Sequence, residues 1–109
     1  MPAFNDFVTT IKDDLLDYAK ENLEEYKDEI LNDGNIFVEK AKEDLQRWTE
    51  GLTSGALSQA DFEFLLKGKK DLAKMEALKQ LGLSKIRITK ITNGIIDVVV
   101  RSAIKTFLQ

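Results

Sequence analysis

The sequence predicts an all-α fold, a four-helix bundle-like single domain over residues 1–109, and three observations carry that expectation. Apolar residues recur every three or four positions along most of the chain, the spacing that gathers them on one face of a helix. Asn32-Asp33-Gly34-Asn35, Thr53-Ser54-Gly55 and Gly82-Leu83-Ser84 divide that pattern into segments of about 3–31, 35–53, 59–81 and 85–108. The single proline is Pro2, so nothing from Ala3 onward forbids a helix interior.

The first segment reads as one long helix. Pro2 suits an opening turn, and Phe4, Val8, Ile11, Leu15, Ala19, Leu23, Tyr26 and Ile30 form its stripe. Their average step is closer to an 11-residue repeat than to a heptad. Glu21–Glu25 and Glu25–Glu29 are like-charge neighbours at i,i+4 that weaken the helix, so packing must hold it. Gly34 then reads as a left-handed cap.

The second helix carries a heptad seam of Val38, Ala41, Leu45, Trp48 and Leu52. Trp48, its largest apolar group, is a core anchor. The third opens on Ser58 and Asp61, a capping box with Asp in place of Glu, flanked by Leu57 and Phe62 as a hydrophobic staple. Phe62, Leu65 and Leu72 are further core anchors. Gly68 lies on their face and marks either close approach or a weak point. Gly82 closes the helix, and Ser84 caps the next.

The fourth helix is expected to be the most buried. On a helical wheel Arg87, Lys90, Asp97, Arg101 and Lys105 share one narrow stripe, Lys85 is the only charge outside it, and the remaining circumference is apolar. A β-hairpin over 86–100, turning at Asn93-Gly94, is the rival reading. It mixes polar and apolar residues on each face and finds no third strand, so helix is preferred.

Composition narrows the chemistry. The chain has no cysteine and no histidine, which removes thiol nucleophiles, thiolate and imidazole ligands and the commonest general base. Asp13, Asp14 and Asp17 share a helix turn without the spacing of a calcium loop, and read as a solvated face. No metal, cofactor or catalytic residue is expected. Neither a membrane-spanning run nor a signal peptide is visible, and a cytoplasmic protein is the expectation. Charge is uneven. Residues 1–50 hold 14 acidic and 6 basic side chains, whereas residues 83–109 hold 1 and 5. Acidic and basic helices packed together within one chain account for this, as does head-to-tail association or a basic face that meets an acidic surface. Lys67, Lys69, Lys70 and Lys74 form the basic cluster outside the last helix, and the net charge of −3 argues against nucleic acid as a partner.

The expected function is therefore a non-enzymatic structural or interaction module. It self-associates as a homo-oligomer or docks to a partner protein through apolar helix faces. Ile88, Ile91, Ile95, Val99, Arg101, Lys105 and Phe107 are the expected contact residues. The alternative is a protein that associates with a membrane surface or lipid. The stepping of the first helix is similar in pattern to exchangeable lipid-binding helices, and the last offers an apolar face with a basic stripe. A third reading is a carrier of an apolar small ligand in a pocket lined by Trp48, Phe62 and Met75.

Overall fold

The computed structural model describes residues 4–22 and 24–108 and is all helical, with no strand among those residues. It comprises α1 (Phe4–Asn22), α2 (Lys27–Lys40), α3 (Lys42–Ser54), α4 (Gln59–Lys67), α5 (Glu76–Gln80) and α6 (Lys85–Phe107). Single 3-10 turns at Glu24–Tyr26 and Lys70–Leu72 complete the path. The molecule is elongated, 43 × 23 × 19 Å. No helix among the described residues is long and apolar enough to cross a membrane. The expected start at Pro2 and Ala3, and Leu23 in the first stripe, lie outside the described residues.

The bundle-like helical architecture is as expected, and α6 is its centre. It packs against α1, α3 and α4. Ile91, Ile95, Ile96, Val98, Val99, Val100 and Ala103 are buried along it. Each large side chain so buried contributes about 1.5–3 kcal/mol. Together they far exceed the ~1 kcal/mol that Gly94 costs inside a helix, which is why the helix runs unbroken through Asn93-Gly94 and no hairpin forms. Gly94 has its own reason to be glycine: a Cβ there would fall on the Tyr18 hydroxyl of α1.

Two segment boundaries differ from expectation. Residues 3–31 are not one helix. The chain leaves α1 at Asn22, makes the turn at Glu24–Tyr26 and doubles back as α2, so α1 and α2 are an αα-hairpin. Three carboxylates at i,i+4 spacing around Glu25 weaken a helix at this place. Conversely, Asn32-Asp33-Gly34-Asn35 is not a break but the middle of α2. Gly34 lets Leu15 of α1 approach, since a Cβ would lie 2.8 Å from a Leu15 methyl. Asp33 is buried and accepts hydrogen bonds from the Ala77 and Leu78 N–H groups, at 3.1 and 3.0 Å. Turn-forming residues were used here for tertiary contact.

The heptad seam is fully realised. Val38, Ala41, Leu45, Trp48 and Leu52 are all buried, although α2 and α3 are separated at Ala41. Leu45 N–H still donates to Ala41 C=O across that joint at 2.8 Å. Gly55 ends α3 in the left-handed conformation, with φ 84°. The capping box that opens α4 is present in both directions. Asp61 N–H donates to Ser58 Oγ at 3.0 Å, and Ser58 N–H donates to Asp61 Oδ2 at 3.1 Å.

The third expected helix, 59–81, is three pieces. α4 stops at Lys67, Gly68 is its weak point, and the chain passes through Lys70–Leu72 to a left-handed Met75 (φ 53°) before α5. A side chain in that conformation is strained by about 1 kcal/mol or more. Met75 is 98% buried, however, and losing a buried Met side chain costs about 2–5 kcal/mol, so burial wins. Among the expected anchors, Trp48 and Phe62 are buried, whereas Leu65 and Leu72 are half-buried against the core. Gly82 takes φ 76°, and Ser84 Oγ accepts from Arg87 N–H at 3.2 Å, both as expected.

Candidate docking surface

Three grooves lie along α6, and their chemistry differs. α1 runs antiparallel to α6, with Phe7 beside Phe107 (ring centroids 5.4 Å apart) and Arg87 over the Tyr26 ring at 5.7 Å. Between the two helices lies a groove of about 670 Å³, lined by Asp14, Asp17, Tyr18, Glu21, Arg101 and Lys105 among others. Its charges answer one another. Lys105 Nζ pairs with Asp14 at 3.1 Å, and Ser102 Oγ donates to the same carboxylate at 2.7 Å. The acidic first helix and the basic last helix thus meet within the chain. A second groove, of about 350 Å³, lies between Phe4, Phe107 and the Thr49–Thr53 face of α3.

The third groove is unlike these. It has a volume of about 580 Å³ and lies between the 70–79 segment and the start of α6. Lys70, Lys74, Lys79 and Lys85 stand around it with Asp71, over a floor that includes Ala73, Leu83 and Ile88, and Thr89 and Thr92 add hydroxyl groups. All four lysines are exposed, and none of them is in an ion pair among the described residues. The other members of the lysine cluster are committed elsewhere. Lys67 reaches Glu63 at 3.7 Å, and Lys69 reaches Asp44 at 3.1 Å. Lys69 and then Arg47 hold the Asp44 carboxyl below the usual carboxylate range.

Three local features place the lysines. The break at Gly68 and the left-handed Met75 turn the 70–79 segment across α6 instead of extending α4. Asp33 fixes the first turn of α5. Ser84 starts α6 immediately before Lys85, so Lys85 and Arg87 fall in a first turn that contains no acid. Cations there oppose the helix dipole by some tenths of a kcal/mol. The Tyr26 ring beneath Arg87 offsets that cost at Arg87, whereas Lys85 has no ion pair among the described residues. Beside the groove, Leu81 and Ile86 are 46% and 77% exposed.

The expected contact residues fall into two groups. Ile91, Ile95 and Val99 are buried in the core of their own chain. Ile88 is half-buried in the lysine groove, Phe107 is half-buried against Phe7, and Arg101 and Lys105 are exposed toward α1. Trp48, Phe62 and Met75 belong to the packed core. Asp13 and Asp17 are exposed and Asp14 is engaged by Lys105 and Ser102. Lys79, Lys85, Leu81 and Ile86 were not singled out by sequence as contact residues. The available signal was Lys85, the one charge off the polar stripe of its helix. Comparison with protein-family models, curated proteins and solved structures finds no match to this chain.

Proposed function

We propose that this chain is a non-enzymatic helical docking module, and that it engages another protein surface through the lysine groove at the start of α6. The observation that supports this is the set of four lysines without ion pairs among the described residues, around an apolar floor, with Leu81 and Ile86 exposed beside it. Clustered like charges repel, and Lys85 and Arg87 sit at the positive end of a helix dipole. An acidic segment carrying a few apolar side chains offsets both, with the carboxylates on the lysines and the apolar groups on Leu83 and Ile88.

A fluorescently labelled peptide of alternating Glu and Leu is the probe. It should bind saturably at low salt and release as salt shortens the screening length from about 10 Å at 0.1 M to about 3 Å at 1 M. Lys74→Glu with Lys79→Glu should abolish binding, whereas Lys12→Glu, at an exposed lysine of α1, should leave it intact. Equal binding by the two variants would remove the groove from the proposal.

A further inference from the structure

The partner of the lysine groove can be sought on the chain itself. Arg87 lies over the Tyr26 ring, so the Glu24–Tyr26 turn and the groove flank the same end of α6. Glu24, Glu25 and Asp28 are exposed on that turn and the first residues of α2, and none is in an ion pair among the described residues. One pole of the molecule therefore carries an acidic turn and a basic groove on different sides of the first turns of α6. Neither the three carboxylates nor the four lysines are in ion pairs among the described residues. Within the chain the two do not meet. A two-fold axis through that pole places the acidic turn of each copy in the groove of the other, an arrangement that closes after two chains and sets three carboxylates against four lysines at each contact.

We propose that this pole is a self-complementary interface whose occupant is a second copy of the chain. Glu24, Glu25 and Asp28 of one copy face Lys70, Lys74, Lys79 and Lys85 of the other. Leu81 and Ile86, which lie next to the groove, lose solvent exposure in the pair. The inference rests on the docking reading above and names its partner. The opposite pole, where Phe7 and Phe107 pack, takes no part.

Sedimentation velocity on the full chain tests it by charge exchange. The unaltered chain should form a dimer at low salt that dissociates at high salt. Lys74→Glu/Lys79→Glu should weaken the dimer roughly tenfold or more, and so should Glu24→Lys/Glu25→Lys, because each puts like charges face to face. All four positions are exposed, and circular dichroism should show both chains folded. An equimolar mixture of the two variants should recover the dimer, since both reciprocal contacts again pair opposite charges. One chain carrying all four reversals should recover it too.

A monomer at every concentration overturns the proposal, as does a dimer that the mixture fails to restore. Should the monomer still bind the Glu/Leu peptide through Lys74 and Lys79, the docking reading stands and its partner is another acidic protein. A monomer that instead co-sediments with anionic phospholipid vesicles, in a manner lost with the lysine reversals, replaces both readings with a membrane surface. Loss of dimer, peptide binding and vesicle binding together removes the groove from function.

Discussion

Tyr18 and Gly94 meet where α1 crosses α6, and the pair accounts for a glycine that helix propensity alone disfavours. The Tyr18 phenol is half-buried there, and burial first, then the Asp97 carboxylate, pushes its pKa above the ordinary value. A raised phenol pKa makes its contribution to stability complete below the unfolded value of about 10, and that contribution is lost as pH climbs through the folded value. Subtracting the ultraviolet titration of a Tyr18→Phe chain from that of the unaltered chain should isolate a phenolate transition above pH 10. Urea midpoints should fall between pH 9 and 11 more steeply in the unaltered chain than in Tyr18→Phe. Parallel slopes would mean that the phenol is not desolvated.

The element most dependent on a single residue is α5. Five residues long and entered through a left-handed Met75, it has no side-chain cap of its own from the preceding residue. The Asp33 carboxylate, 44 residues earlier, supplies that cap from the middle of α2. Hydrogen bonds to a charged group contribute about 1.5–3 kcal/mol each, so Asp33→Ala, which removes two, should destabilise the chain by about 3–6 kcal/mol, and Asp33→Asn by less. Amide exchange should accelerate first at Ala77 and Leu78. An Asp33→Ala chain with unchanged exchange at those amides would show that α5 is held by packing alone.

This same element shows what was legible beforehand. Local signals are legible: the Ser58–Asp61 box, the helix end at Thr53-Ser54-Gly55, the Gly82 and Ser84 caps and the seam from Val38 to Leu52. Asn32-Asp33-Gly34-Asn35 misled because its turn-like residues answer needs set by distant elements, a cap for α5 and space for Leu15. The turn at 24–26 was masked by an apolar stripe that continues through it, because α1 and α2 present their apolar faces to one core. The groove was illegible for the same reason. Lys70, Lys74, Lys79 and Lys85 converge only after Gly68 and Met75 redirect the chain.

At the scale of the molecule, α6 divides into a structural length and a projecting first turn. Ile91 to Ala103 are the centre of the core, while Ile86 is 77% exposed. Val99→Asp should abolish the cooperative fold by burying an unpaired charge. Ile86→Asp should leave the melting temperature nearly unchanged. Circular dichroism through a thermal ramp separates the two, and equal loss from both would deny that the first turn projects. The charge asymmetry of the sequence resolves in two ways at this scale. Asp14 and Lys105 consume part of it within the chain, and Lys85 joins Lys70, Lys74 and Lys79 around the groove at the start of α6.

The antiparallel course of α1 and α6 has a consequence for topology. Phe4, Phe7 and Phe107 form one edge-to-face aromatic cluster, with ring centroids 5.6 and 5.4 Å apart, so the start of α1 and the end of α6 lie at a single place. A short linker from Leu108 back to Phe4 would close the backbone into a ring. Cut again at the exposed Gly55, that ring is a circular permutant with the same helices in a new order. Spliced instead into a surface loop of a carrier protein, the chain would stand off on its aromatic cluster like a bulb on a stem, with the lysine groove and the Glu24–Tyr26 turn at the end away from the host.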